Sequence, residues 1–466
     1  MQVRFAILSG LVCLNLWAVP GADLAQAPRS FSTNGKTAIP VDFQYVTLNM
    51  EFDPAAGKAR ATCAVTFYAE QAGYPFLDLV PNPTAVSLDG RALGAGGLPA
   101  IQPPGGTTTL RMVNESVPAR SEHLLEVSYD VPSADVTFSN NGVRMVWAMS
   151  DIGQDRSFLE QYACANLEFD QFPMDFEFSL PPDAPNHQIF TNGGLFYIAK
   201  NHWTISFPEY FTSSSFYFHI TNRAVAVARG THPGIERPVP ITVYAASSGA
   251  ANDGLAKAKR VMAELEATYG PYAHRSMTAY IVASGGGMEH VGATITSLGA
   301  LDHEITHSWF ARGVMPADGN SGWIDESIAS WRDNGYPRGT ASTMGSPSML
   351  SGFSEFYRLT PMASYSAGAT LMSRFDALFA GGLRPVLRKV FDTAKRTPVS
   401  TPRFQSLLEN AAGRSTADYF RRYVFGGTSQ MSPFVAFRGL PLASPFPAQT
   451  TRHPRPLSRP EIVAIR

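Results

Sequence analysis

The first half of the chain consists of short runs in which apolar residues alternate with polar or small ones. Residues 43–50 are rich in aromatic and β-branched side chains, residues 61–68 and 124–129 alternate apolar with polar or small ones, and clusters of Gly, Pro, Asn and Asp separate such runs. A period of two is typical of β-strands, because successive side chains of a strand point to opposite faces. Many short strands in succession predict an N-terminal antiparallel β-sandwich over residues 28–228.

The period changes after the turn-rich residues 229–234. Residues 252–269 repeat apolar positions at helical spacing and end at Gly270-Pro271, which predicts an amphipathic helix. A predicted strand at 277–282 follows, and later windows return to the helical period. The fold class is therefore α+β, with a second, mainly helical domain over residues 229–431 and a loosely packed Pro/Arg-rich tail over 432–466. The later helical windows are 366–379, 383–394, 402–412 and 417–424.

Composition narrows the class of protein. Hydrophobic residues make up 44% of the chain and charged residues 16%, which is enough apolar surface for a large core and excludes global disorder. The formal net charge is -1, so nothing in the charge balance predicts a nucleic-acid partner or an anionic membrane surface.

The N-terminus has the pattern of an export signal over residues 1–27. Arg4 precedes an uncharged apolar run at 5–19, and Ala25-Gln26-Ala27 offers a small-x-small cleavage site, with Ala22 as a second option. The apolar run is shorter than the roughly 20 residues that span a bilayer. We expect an exported protein, periplasmic or secreted, with no integral membrane segment after signal removal.

Removal of this signal leaves Cys63 and Cys164. An oxidising compartment permits them to pair, but the sequence does not show whether their Cα atoms lie close enough, so a disulfide and two buried thiols remain open alternatives.

Candidate chemistry is concentrated between residues 302 and 326. His303 and His307 are four residues apart, a spacing that places two imidazoles on one face of a helix, where they can hold one zinc ion. Glu304 occupies the usual position of a general base, and Glu326 follows His307 after 18 intervening residues as a candidate third ligand. Three protein ligands leave one zinc position open, which is typical of a catalytic site. The alternative is a buried helix whose histidines are merely hydrogen-bonded.

These motifs resemble those of the gluzincin metallopeptidases of the membrane alanyl aminopeptidase family, peptidase family M1. The resemblance covers residues 40–430 and includes the metal motif, Glu326 and two further elements in the family's order. It implies a thermolysin-like catalytic domain and one Zn²⁺ per chain. The two further elements are Gly286-Gly287-Met288-Glu289-His290 and Tyr365-Ser366-Ala367-Gly368.

The resemblance also implies roles for individual residues. Glu304 would take a proton from a zinc-activated water, and Tyr365 would stabilise the oxyanion. Glu289 would bind the substrate's amino terminus, together with Gln161 and the backbone of Gly286, Gly287 and Met288. The implied activity is a zinc aminopeptidase that acts on peptides.

Several positions depart from the family pattern. His290 stands where Asn is usual, Ser327 stands where Gly is usual, and Asp325 stands where Asn is common. Too few residues follow Tyr365 for the long helical C-terminal domain of larger members, which predicts a short form. Because that domain narrows the cleft, an endopeptidase or another hydrolase without exopeptidase selectivity is an alternative. A peptide-binding relative without turnover is a third, and the intact catalytic set argues against it.

Overall fold

The computed structural model describes residues 21, 23–106, 110–131, 136–139, 142–147, 164–340, 347–357 and 360–427. Within these ranges a β-rich N-terminal domain precedes a second domain that contains most of the helices, which confirms the predicted order. The predicted tail at 432–466 and most of the predicted export signal lie outside the described residues. None of the described helices is both long enough and apolar enough to cross a membrane.

The strands of the N-terminal domain form sheets of eight, five and four strands in the described chain. The largest sheet has the order β15-β16-β13-β3-β4-β10-β6-β7, with short 3₁₀ helices at Asp23–Gln26 and Ala95–Gly97 elsewhere in the domain. In chain order the strands are β1 (Phe31–Thr33), β2 (Lys36–Ile39), β3 (Asp42–Asp53), β4 (Lys58–Ala69), β5 (Tyr74–Leu77), β6 (Pro83–Leu88), β7 (Arg91–Ala92), β8 (Ala100–Ile101), β9 (Leu110–Met112), β10 (Ser121–Asp130), β11 (Thr137–Ser139), β12 (Gly142–Trp147), β13 (Met174–Ser179), β14 (Gln188–Thr191), β15 (Gly194–Ala199), β16 (His202–Phe207) and β17 (Phe218–Thr221).

The long central strands follow the predicted alternation. Val46, Leu48 and Met50 of β3 are all at most 1% exposed, and the residues between them face outward. The prediction of a purely antiparallel sandwich is wrong at two places, because β13 pairs with β3 and β5 pairs with β2 in parallel. Strand β13 returns to the sheet after a long excursion, so this pairing depends on contacts that are distant in sequence.

Cys63 and Cys164 lie together in the core of this domain as free thiols. The backbone N–H of Cys164 donates a hydrogen bond to Cys63 Sγ at 3.1 Å.

The second domain has a five-stranded sheet of order β18-β19-β20-β22-β21. The helix predicted at 252–269 extends over Ser248–Tyr269, and the other helical windows are also found with small shifts of their ends. The strands are β18 (Ala226–His232), β19 (Val239–Ala245), β20 (Met277–Val282), β21 (Gly287–His290), β22 (Ala293–Ser297), β23 (Met315–Pro316) and β24 (Pro398–Val399). The helices are α1 (Ser248–Tyr269), α2 (Leu301–Thr306), α3 (Trp323–Asp333), α4 (Ala369–Leu378), α5 (Arg384–Ala394), α6 (Thr401–Ala412) and α7 (Ala417–Tyr419), with a 3₁₀ helix at Gly319–Ser321 and π-helical turns at Ser364–Gly368 and Phe420–Val424.

The start of the second domain differs slightly from the position that turn residues suggest. Most of the segment 229–234 belongs to β18, which begins at Ala226 and pairs with β19 of the second sheet. Its glycines therefore lie in and beside a strand, since tertiary pairing outweighs a local turn composition.

Local signals explain the bounds of α1. The side chain of Ser247 accepts a hydrogen bond from the backbone N–H of Ala250 and caps the first turn. At the other end Gly270 adopts a φ of 105°, which favours glycine, and Pro271 follows it. Leu265 and Tyr269 are 0% exposed on the face that packs into the domain core.

Three tryptophans pack around the helices that carry the metal motif. Trp309, Trp323 and Trp331 are all 0% exposed within the core of the second domain, and each indole N–H has a hydrogen-bond acceptor. A separate apolar cluster, which includes Tyr217 of the first domain and Met288 of the second, packs the two domains together.

The segment that precedes β1 is part of this fold. Gln26 of the 3₁₀ helix Asp23–Gln26 donates a hydrogen bond to Pro398 O of the second domain at 3.1 Å. Asp23 accepts one from the backbone N–H of Gln171 at 3.0 Å. The segment 23–27, which the sequence assigns to the removed signal, therefore contacts the first domain through Asp23 and the second through Gln26.

A cluster of three carboxylates lies under this segment. One oxygen each of Asp23, Asp42 and Asp170 lies within 4.8 Å of the others. Asp170 is fully buried, and its Oδ2 accepts hydrogen bonds from the backbone N–H of Phe43 at 2.8 Å and from Asn166 at 2.6 Å. Burial, and then the negative charge of Asp42, raise the pKa of Asp170 well above its usual value.

We predict that Asp170→Asn raises the unfolding temperature at pH 8. The unfolded chain releases the proton of Asp170 above about pH 4, whereas the raised pKa keeps that proton bound in the folded state. The free energy of unfolding therefore falls as the pH rises from about 4 towards the pKa of Asp170 in the folded state. An Asn keeps both hydrogen bonds without the charge. Thermal unfolding across pH 4–8 measures the effect, and the difference from wild type should vanish near pH 4.

The matched control is Asp130→Asn, an exposed aspartate on β10 that should leave the unfolding temperature unchanged. A lower unfolding temperature of Asp170→Asn at pH 8 would contradict the prediction.

Candidate metal centre and active site

The two histidines of the motif lie next to each other at the end of α2. His303 is in the helix, and His307 follows its last residue with helical φ and ψ angles of -60° and -17°. Their ring centroids are 4.8 Å apart, and both rings are buried. The helical spacing of the motif therefore brings the imidazoles together as the sequence predicts.

Glu326 of α3 completes the group. Its Oε2 lies 3.1 Å from His303 Nε2 and 3.7 Å from His307 Nε2. One ligand atom from each of the three residues lies within 4.8 Å of the others. Two imidazole nitrogens and one carboxylate oxygen on a common point are a donor set that suits zinc.

The charge state of the site also suits a cation. Burial lowers the pKa of His307 to about 4, so this imidazole is neutral at pH 7, the form in which histidine binds a metal. Burial lowers the pKa of His303 too, but its hydrogen bonds to Asp333 and Glu326 outweigh this and raise the pKa well above its usual value. A site in which carboxylates favour a positive charge on an imidazole is one in which a divalent cation can replace the proton.

Hydrogen bonds behind the ligands orient both rings. Asp333 Oδ2 accepts a hydrogen bond from His303 Nδ1 at 2.6 Å, and Phe310 O accepts one from His307 Nδ1 at 3.3 Å. Each Nε2 is thereby directed at Glu326. Sequence reasoning missed Asp333, although its position seven residues after Glu326 places both carboxylates on one face of α3.

Tyr365 reaches the same point from the π-helical turn Ser364–Gly368. Its hydroxyl donates a hydrogen bond to Glu326 Oε1 at 2.5 Å, and its ring centroid is 6.4 Å from that of His303. Burial, followed by the charge of Glu326, raises the pKa of Tyr365, so the phenol stays protonated and able to donate. In this structure the hydroxyl contacts the carboxylate of the third ligand.

The departure at Ser327 has a local explanation. Its hydroxyl donates to Trp323 O and Ser364 O, which joins α3 to the turn that carries Tyr365. A Cβ on Gly368 would lie 1.9 Å from Ser327 Oγ, so the serine fits because residue 368 is glycine.

Glu304 is on α2, and its side chain lies against β21. It is buried, and its Oε2 has no hydrogen-bond partner within the described part of the chain. A Cβ on Gly287 would lie 2.2 Å from Glu304 Cδ, so this glycine is what allows the strand to pass so close to the carboxylate. Burial is the main cause that raises the pKa of Glu304, and the charges of Glu289 and Glu326 add to it.

Glu289 on β21 is the second carboxylate beside the metal motif. One of its oxygens lies within 4.8 Å of ligand atoms of Glu304 and His307. The neighbouring Met288 points into the apolar cluster between the domains, and His290 lies buried against the ring of Tyr217 at 5.3 Å.

The remaining predicted contacts are only partly described. Gly286 precedes β21, and its carbonyl accepts a hydrogen bond from the backbone N–H of Ser297 at 3.3 Å. Gln161 lies outside the described residues.

Comparison with solved structures places this arrangement in a known architecture. An M1 zinc metallopeptidase of Deinococcus radiodurans aligns with a TM-score of 0.59 at 16% identity, over 84% of this chain and 96% of its own. The chain has the fold of the M1 zinc metallopeptidases. A mutant of that enzyme bound to a Tyr-Ser-Ala substrate aligns with a TM-score of 0.57 at 15% identity, over 84% of this chain and 96% of its own.

A larger protein with the M1 fold is also similar. Aminopeptidase A of Legionella pneumophila, in complex with aspartic acid, aligns with a TM-score of 0.60 at 14% identity and over 83% of this chain. The present chain spans 49% of that protein, about half its length. Searches with the sequence against family models and curated proteins found no match.

We predict that Asp333→Asn weakens zinc binding by about 10–100-fold, because the hydrogen bond that orients His303 loses its charged acceptor. Competition with a chelator of known affinity measures the change. Asp302→Asn is the control, since Asp302 is on α2 directly before His303 but pairs with Lys257 instead of a ligand. Equal zinc affinity of Asp333→Asn and wild type would show that Asp333 does not orient His303.

Proposed function

We propose that this chain is a zinc-dependent aminopeptidase of the M1 type, which hydrolyses the N-terminal peptide bond of peptides. One zinc ion per chain would be held by His303, His307 and Glu326 in a thermolysin-like catalytic domain. The observation that carries the proposal is the convergence of these three buried side chains on one point, with Glu304 and Glu289 beside it.

When bound, the zinc ion would polarise the scissile carbonyl and acidify a water molecule. Glu304 accepts a proton from the attacking water and delivers it to the leaving amine. Its unpaired Oε2 is free for this exchange. The backbone of Gly287 adds no side chain between the base and the substrate.

Tyr365 supplies a hydrogen-bond donor to the oxyanion that develops on the substrate carbonyl. In this structure its hydroxyl donates a hydrogen bond to Glu326 Oε1. During the reaction it would rotate and donate to the substrate carbonyl instead. Loss of one such donor typically costs 10²–10³ in turnover, about 3–4 kcal/mol.

Glu289 fixes the position of cleavage. A carboxylate beside the metal ligands can accept a charge-assisted hydrogen bond from the substrate's terminal ammonium and so place the first peptide bond over the metal. Gln161, as a second contact to that ammonium, stays a prediction.

A zinc peptidase without exopeptidase selectivity is the second candidate. It is favoured by one observation, namely that Glu289 already forms an ion pair with Arg312 at 3.0 Å. A carboxylate whose charge is already balanced within the protein gains less free energy from binding a substrate ammonium.

A panel of matched peptides tests the proposal. Free peptides should lose their first residue in a zinc-dependent reaction that a chelator stops, whereas N-acetylated versions should not be cleaved, because acetylation removes the charge that Glu289 binds. Glu304→Gln should retain zinc and lose turnover, since it cannot accept the proton. Internal cleavage of the blocked peptides would favour the second candidate, and a protein that contains no zinc would contradict both.

We also propose that the protein is exported, periplasmic or secreted, and is processed after Ala22. Cleavage after Ala27 would remove Asp23 and Gln26, which contact both domains, whereas cleavage after Ala22 keeps them. Mass spectrometry of the protein recovered from the exporting cell should find Asp23 as the first residue. A first residue at Pro28 would contradict this boundary, and an intact Met1 would contradict export.

A further inference from the structure

A buried arginine lies behind the carboxylate that is proposed to bind the substrate's amino terminus. Arg312 is 0% exposed, and its Nη2 donates a hydrogen bond to Glu289 Oε1 at 3.0 Å. A guanidinium is charged at all relevant pH values, so burying it is costly unless charged and polar groups surround it. The sequence gives no sign of this pair, since 23 residues separate its members.

The other side of the guanidinium is held by the N-terminal domain. Arg312 Nη1 donates to Ser214 Oγ at 2.6 Å, and Ser214 in turn donates to Glu168 Oε2 at 2.6 Å. Thr212 donates to the same oxygen of Glu168 at 3.0 Å. A continuous set of hydrogen bonds therefore runs from a buried glutamate of the first domain to Glu289 of the second.

The residue before Arg312 has a strained backbone conformation. Ala311 has a φ of 122°, a conformation that residues with a Cβ rarely adopt. The backbone N–H of Arg312 donates to His307 O at 2.8 Å, so the turn that carries the arginine is tied to a predicted metal ligand. Strain of this kind persists only where surrounding contacts determine the conformation, and it occurs preferentially at functional sites.

Glu289 needs such a partner because of its neighbours. One of its carboxylate oxygens lies within 4.8 Å of ligand atoms of Glu304 and His307, and Glu326 Oε2 lies 3.7 Å from His307 Nε2. Like charges in a buried site repel one another, so an uncompensated Glu289 would turn away from Glu304 and from the substrate cleft.

We propose that Arg312 is a positioning residue that sets the affinity of the site for peptides with a free terminal ammonium. It holds Oε1 of Glu289, and a carboxylate has enough lone pairs to accept hydrogen bonds from both the guanidinium and the substrate ammonium. The ion pair therefore orients the carboxylate, and the substrate class is unblocked peptides. This role rests on the proposed function and deepens it.

Binding measurements in the zinc-loaded Glu304→Gln background test the role without turnover. The probes are a dipeptide amide and its N-acetyl form, titrated by calorimetry. Adding Arg312→Met should weaken binding of the free form by about ten-fold or more, the effect of losing a charge-assisted contact, and should leave the N-acetyl form unchanged. Arg312→Lys should recover part of the loss. In a background that also carries Glu289→Gln, Arg312→Met should have no further effect on the preference for the free form.

Arg111→Met is the matched control, since Arg111 is a buried arginine of the first domain that donates to Leu79 O and lies outside the site. It should lower stability without changing the ratio of the two affinities. Equal losses for both probes in Arg312→Met, or tighter binding of the free form, would overturn the positioning role. Unchanged binding of the free form would overturn that role alone, whereas a zinc-loaded protein that binds neither probe would overturn the proposed function as well.

Discussion

Negative charge gathered among buried side chains is the constraint on which the second domain depends. Glu289, Glu304 and Glu326 lie around His307, with Asp333 behind His303. Such a group is stable only when cations balance it. The protein supplies Arg312 for Glu289 and leaves the point between the imidazoles and Glu326 to a metal ion.

The residues of the site are carried by several elements of both domains. The imidazoles, the third ligand and Tyr365 are carried by three helical segments, whereas Glu289 is on the edge strand β21. The first domain adds Ser214 and Glu168 through hydrogen bonds to Arg312. The candidate active site is therefore completed at the contact between the two domains, where an apolar cluster that includes Met288 holds them together.

The sequence predicts the parts of this arrangement that depend on local geometry. His303 and His307 lie together because helical periodicity acts within one turn, and the same rule applied to Glu326 would have found Asp333. Ser247 and Gly270 define the ends of α1 by interactions within a few residues. Glu326 was a candidate ligand from its distance to His307, whereas the approach of Tyr365 to the histidines was implied by the family resemblance alone.

Other features depend on long-range contacts or on conformations that a residue type does not indicate. The parallel pairing of β13 with β3 joins segments more than 100 residues apart, where alternation alone does not define the neighbour. The sequence alone does not indicate that Arg312 is buried, because its partner Glu289 lies 23 residues away in the chain. The docking of residues 23–27 against both domains is equally invisible in a stretch that has the composition of a leader.

The fit of Ser327 against Gly368 makes these two positions interdependent. With serine at 327, even the methyl group of an alanine at 368 would collide with the hydroxyl, which already connects α3 to the turn beneath Tyr365. A glycine at 327 would relax that restriction but would give up the connection. In evolution, a residue larger than glycine at 368 is therefore compatible with this packing only after Ser327 has been replaced by a smaller residue.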